Sequence, residues 1–350
     1  MGRIARHGAR TAIVDPGGVW SYDALGRDAA RLTAAVLAGQ DDLVEDWVVL
    51  LCWPGHDFVV GLVGCWGAGG VAVPLHPSHP EAELEYYLND SAAGTIVCSP
   101  THGDLARRLG DRLGIRDVAL GSEDEPSTGA VTDLDPERRA MMLYTSGTTG
   151  RPKGVVHTHR SLRAQVASLI EAWAWSVDDR ILLVLPLHHV HGIVNVTLCA
   201  LWTGAVCEAP GGFDATQTWD RLSSGELTLF MAVPTIYTRL IGEWEQADDD
   251  QRRRWSGGAA KPRLMVSGSA ALPVSTLQRW QEITDHVLLE RYGMTELGMA
   301  LSNTLGRRTP GHVPEMRTVS PSRPPLGANS RIDTTEELCR EIDTRLPTAS

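Results

Sequence analysis

Between Tyr144 and Gly154 the chain reads Tyr-Thr-Ser-Gly-Thr-Thr-Gly-Arg-Pro-Lys-Gly, residue types that together suit the cradling of a polyphosphate. Gly147 and Gly150 let the backbone come close to phosphate oxygens, and successive N–H groups in such a loop form an anion nest. Thr145, Ser146, Thr148 and Thr149 add hydroxyl donors, Arg151 and Lys153 add cations, and Pro152 stiffens the exit. The spacing is not that of a Walker A loop, which needs GK[ST] opening a helix. A ligand-free Gly/Ser/Thr linker is the plain alternative. The apolar run Met141-Met142-Leu143 leading straight into the loop, and the Arg-Pro-Lys-Gly that closes it, argue against a linker.

Such a loop needs rigid elements behind it. Short apolar runs at 48–52, 71–73, 95–98, 141–144, 181–185, 227–233, 264–266 and 287–289 predict strands, and 12–14 with 19–22 flanks the turn Asp15-Pro16-Gly17-Gly18 as a hairpin. Amphipathic stretches at 23–37, 80–89, 161–173 and 273–283 predict helices between them. Repeated strand–helix alternation implies an α/β fold of mainly parallel sheets layered with helices. Ligands in such folds bind beyond the carboxyl ends of strands, so the loops after Tyr144, Val266 and Leu289 are the expected site.

Composition narrows the partners. At 350 residues, more than one packed subdomain is expected. Lys and Arg number 32 against 43 Asp and Glu, a net charge of −11 that argues against nucleic acid as a partner. Six dispersed cysteines with no CxxC pair predict buried thiols in a reducing compartment rather than disulfides or zinc. His188, His189 and His191 raise a metal site as an option, but adjacent histidines on one segment rarely aim at one ion. Residues 58–75 carry no charge and approach the minimum length of a spanning helix. Five glycines within that stretch predict instead a buried helix, a turn at Gly69-Gly70 and a buried strand.

Three motifs in order resemble the adenylate-forming superfamily of acyl-CoA synthetases, luciferases and peptide-synthetase adenylation domains. They are the loop above, Leu185-Pro186-Leu187-His188-His189-Val190-His191-Gly192, and Tyr292-Gly293-Met294-Thr295-Glu296, with Ser267-Gly268-Ser269-Ala270 between the last two. The resemblance implies ATP, Mg²⁺ and CoA as ligands. A carboxylate attacks the α-phosphorus of ATP, releasing pyrophosphate, and CoA thiolate then displaces AMP from the acyl-adenylate. It implies that Lys153 and the loop hold the polyphosphate, Gly268, Ser269 and Ala270 lie against adenine, and Tyr292 and Gly293 adjoin the nucleotide. Thr295 contacts the α-phosphate, Glu296 holds Mg²⁺, and His189 and Met294 border the acyl pocket. A solvated glutamate, a turn hydroxyl and a structural histidine are the alternatives for Glu296, Thr295 and His189.

Arg291 points to the acid. A guanidinium beside the acyl pocket binds a second carboxylate bidentately, and with its neighbouring motifs it resembles malonyl-CoA and methylmalonyl-CoA synthetases. The expected substrate is therefore malonate or methylmalonate; pairing of Arg291 with Glu290, a medium-chain or aromatic acid, and a non-catalytic ATP-binding remnant are the alternatives. The resemblance covers residues 10–302, with the large adenylation domain expected over 1–305 and a disordered tail over 306–350. The family's smaller β subdomain should accompany the sheets, while its C-terminal lysine domain is not recognisable, so impaired turnover is expected. The location expected is soluble and intracellular, mitochondrial if the protein is animal-like with a lost transit peptide and otherwise cytoplasmic. Oligomeric state is not legible.

Overall fold

The computed structural model describes residues 4–121, 134–145 and 151–302, with the backbone of a two-residue strand at 317–318. A hairpin, β1 (Thr11–Asp15) and β2 (Gly18–Ser21), feeds helix α1 (Tyr22–Leu37), whose first turn is capped by Ser21 accepting from the Ala24 N–H. Alternation follows: β3 (Trp47–Leu51), α2 (His56–Gly67), β4 (Val71–Pro74), α3 (Glu81–Ser91), β5 (Thr95–Cys98), α4 (Gly103–Leu113) and β6 (Arg116–Ala119). Two longer strands, β7 (Arg139–Thr145) and β8 (Lys153–Thr158), precede α5 (His159–Trp173). Next come β9 (Arg180–Leu182), a π-helical segment (His191–Leu198) that runs into α6 (Cys199–Thr203), β10 (Val206–Glu208) and α7 (Ala215–Ser223). The chain continues through β11 (Leu229–Ala232), α8 (Pro234–Gln246), α9 (Asp249–Ala259), β12 (Leu264–Ser267) and α10 (Val274–Thr284). It then enters β13 (Leu289–Met294), β14 (Gly298–Ser302) and β15 (Arg317–Thr318).

Two sheets result, one ordered β6-β5-β3-β4-β7-β8 and one ordered β15-β14-β13-β12-β11-β9-β10-β1-β2. Their interiors pair in parallel; antiparallel pairs stand at the ends, β7–β8 in the first sheet and β1–β2 and β13–β14–β15 in the second. Strands β3, β4 and β5 are apolar almost throughout because helices cover both faces. The described residues form no third sheet, so the expected smaller β subdomain is not among them, and the expected tail lies outside them apart from 317–318.

The glycines of 58–75 have a packing reason. A Cβ on Gly64 would lie 2.7 Å from a Leu32 methyl, so α2 packs closely on α1, and Thr33 Oγ1 donates to Gly64 O at 3.0 Å. Helix α2 has 12 residues, and among the described residues no helix is long and apolar enough to cross a membrane. In the second half, Trp219 stacks on Trp255 and Trp280, locking α7, α9 and α10 together. Tyr237 of α8 donates to Val266 O at 2.9 Å, which ties that layer to β12.

The last expected strand sits differently. It begins at Leu289, not 287, and continues to Met294 because β14 pairs with it from Arg291 onward. Glu290 and Arg291 hide the strand from an apolar-run criterion. The polar Lys153–Thr158 strand escapes that criterion for the same reason.

Candidate active site

A cavity of about 850 Å³ opens between the two sheets at the carboxyl ends of their strands. The first sheet contributes Thr145 from the end of β7 and Lys153 from the start of β8, which face each other as cross-strand partners. The second contributes Leu185, Pro186 and His189 to Gly192 after β9, Val233 after β11, Ser269 after β12, and Arg291 and Gly293 of β13. Thr295 and Glu296 line it from the tight turn between β13 and β14, closed by Leu297 N–H on Met294 O at 3.2 Å. A Cβ on Gly293 would lie 2.4 Å from Gly298 O, so only glycine lets the hairpin close. Gln165 of α5 accepts from Met299 N at 2.7 Å and donates to Met299 O at 3.2 Å, pinning the hairpin's second strand.

Arg291 is the electrostatic centre. It is 6% exposed, donates to Ser269 Oγ at 3.2 Å and to Met299 Sδ at 3.5 Å, and has no acidic partner among the described residues. The pairing with Glu290 is not formed. Burial alone pulls its guanidinium down to about 9, still charged at neutral pH. Ser269, held at φ +70°, also lies 3.3 Å from His191 Nδ1, and the buried His191 Nε2 has no hydrogen-bond partner among the described residues. Burial, and then the Arg291 charge, hold His191 neutral.

Four histidines cluster beside the cavity, of which His189 lines it. His76 and His79, from the loop before α3, approach His188 with ring centroids 5.1 and 5.5 Å away, and His188 stands 4.0 Å from His189. Burial and then its neighbouring histidines push His188 down to about 3, so its ring is uncharged at neutral pH. Among the described residues no three His, Cys, Asp or Glu side chains are placed to hold a metal ion. Glu296 is the single carboxylate among the described lining residues. That donor set fits Mg²⁺, which takes one or two carboxylates together with substrate phosphates, and does not fit a metal bound by protein alone.

The cavity thus gathers Thr145, Lys153, His189, Ser269, Arg291, Gly293, Met294, Thr295 and Glu296. Arg151, Pro152, Gly268, Ala270 and Tyr292 do not line it, and Ser146, Gly147, Thr148, Thr149 and Gly150 lie outside the described residues. Val233, Ile236, Gly298 and Met299 line it without having been singled out in sequence. Pro234 after an apolar run marks a strand-to-helix turn at 233, but nothing local says that this turn faces the loop at Thr145.

Two parallel-rich sheets meeting over such a cavity define an α/β fold of the adenylate-forming kind. The chain belongs to the AMP-binding enzyme family, which matches residues 2–336. It is 44% identical over 329 residues to the mitochondrial malonate–CoA ligase ACSF3 of Bos taurus, covering 89% of this chain and 56% of that protein. The ATP-bound MatB of Rhodopseudomonas palustris superposes with a TM-score of 0.75 at 28% identity, covering 87% of this chain and 62% of that one. A malonyl-CoA ligase complex with methylmalonyl-CoA and AMP gives a TM-score of 0.74 at 30% identity, covering 86% and 61%. The chain spans little more than half the length of the curated relative.

Proposed function

We propose that the protein is an ATP-dependent acid–CoA ligase that activates malonate or methylmalonate, and that the 850 Å³ cavity binds both ATP and the acid. Arg291 carries the reading: it is a buried guanidinium on the cavity wall with no counter-ion among the described residues. An unpaired buried charge is costly, and a carboxylate offering two oxygens supplies both charge and geometry. Malonate presents one carboxylate for reaction and a second for Arg291, whereas butyrate leaves the guanidinium unpaired. The malonate in the bovine relative's name and the methylmalonyl-CoA in the solved complex support this choice.

In the first half-reaction a carboxylate oxygen bonds to the α-phosphorus and the bond to pyrophosphate breaks. Lys153 and the Thr145 hydroxyl reach the polyphosphate, and Thr295 donates to the α-phosphate. Glu296 would hold Mg²⁺, which when bound neutralises charge on the departing pyrophosphate. His189, kept neutral by burial and by His79 and His76, borders the acid without competing for its carboxylates. In the second half-reaction the CoA thiolate bonds to the acyl carbon and AMP leaves.

Pyrophosphate release with malonate, ATP and Mg²⁺ tests the activity; ATP binding without release would make the protein a non-catalytic nucleotide binder. Arg291→Met should lower malonate use about 100-fold, the scale of a charged, buried hydrogen-bonded pair, while sparing butyrate. An unchanged preference for malonate would remove Arg291 from the specificity argument.

A further inference from the structure

We propose that Tyr86 and Asp90 of α3 are positioning residues that hold the β7–β8 hairpin so that Thr145 and Lys153 face the cavity. The inference rests on the reading of that cavity as an ATP site. Tyr86 and Asp90 are four residues apart and share one face of α3. Tyr86 Oη donates to Pro152 O at 3.2 Å, and Tyr144 Oη donates to Asp90 Oδ2 at 2.7 Å. Tyr144 immediately precedes Thr145, and Pro152 immediately precedes Lys153. The helix therefore grips each arm of the hairpin one residue before the residue that lines the cavity.

The rings complete the contact. Tyr87 lies 4.5 Å from Tyr144 and 5.6 Å from Tyr86, and its own hydroxyl is tied to Glu83 at 2.8 Å. An aromatic wedge thus fixes the distance between helix and hairpin. The hairpin needs such a hold because, among the described residues, β8 is the edge strand of its sheet and pairs only with β7. Gly154, forced by Met142 Sδ 2.4 Å from where its Cβ would stand, adds a position without side-chain anchorage beside Lys153. Lys153 itself is exposed, so its backbone must be set by its neighbours.

Tyr86→Phe removes one hydroxyl and keeps the ring, so the melting temperature should not change. MgATP affinity should fall about fivefold, the size of one net hydrogen bond, while affinity for AMP, which lacks the phosphates Lys153 would reach, stays the same. Asp90→Ala should show the same pattern. In a Lys153→Ala background the Tyr86→Phe effect should shrink below about twofold, because the two residues act on one contact. Unchanged ATP affinity, equal losses for ATP and AMP, or an undiminished effect without Lys153 would each overturn the proposal. Hydrogen exchange at the amides of Lys153–Thr158, read without nucleotide, separates this proposal from the ATP reading. Faster exchange in Tyr86→Phe supports the clamp even if the wild type binds no ATP, and unchanged exchange overturns it.

Discussion

Gly268 and Arg291 occupy one site between them. A Cβ built at 268 would stand 2.7 Å from Nε, 2.8 Å from Cζ and 2.9 Å from Cγ of Arg291, and the guanidinium is further held by Ser269 and Met299. The sequence places Gly268, Ser269 and Ala270 against adenine by resemblance; in the folded chain the first makes room for Arg291 and the second accepts a hydrogen bond from it. Gly268→Ala should push the guanidinium off its partners and weaken malonate binding about tenfold, within the usual range for overpacking. Titration calorimetry with malonate and with ATP checks this: equal loss of both affinities would show that Gly268 does not act through Arg291 alone.

At the scale of elements, the junction of α1, α2 and the first hairpin has a pH-dependent component. Asp15 accepts from Gly17 N, Gly18 N, Trp20 Nε1 and His56 N, joining the β1–β2 turn to the start of α2. The His56 ring stacks on Trp20 with centroids 3.9 Å apart, and its Nε2 lies 2.9 Å from Asp28 of α1. Burial opposes protonation of His56, but the carboxylates of Asp57 and Asp28 outweigh it and raise its value. The folded value lies above the unfolded one, about 6.5, so this stabilisation is full below that pH and fades as pH rises through the folded value. The melting-temperature gap between wild type and His56→Gln should therefore be widest near pH 6, about 1–2 °C, and narrower at pH 8. A gap that stays constant, or widens with pH, would show that the ion pairs contribute nothing.

For the whole molecule, a net charge of −11 makes anion binding depend on local cations, and the cavity supplies Lys153 and Arg291 from different sheets. A ligand that joins the two sheets stabilises the fold by mass action: MgATP at 100 times its Kd should add about 2.7 kcal/mol, visible as a raised melting temperature. No shift with millimolar MgATP and malonate together would contradict the cavity assignment. The strands at 95–98 and 71–73 were legible because continuous apolar runs between helices have few other solutions, and Arg291 was legible because it directly precedes the Tyr292–Glu296 motif, where the resemblance implies an acyl pocket. The polar strand Lys153–Thr158 and the outer half of Leu289–Met294 were not, because cross-strand hydrogen bonds, not side-chain pattern, make them strands. By itself, then, the sequence determined the α/β alternation, the family and the residue types of the site. Tertiary structure alone decided that Gly268 makes room for Arg291, that Gln165 pins the Thr295–Glu296 hairpin, and that four histidines from two segments form one cluster. The physical reason is that periodicity and motif spacing are set within a few residues of chain, whereas steric room and hydrogen-bond partners come from segments 22 to 134 residues away.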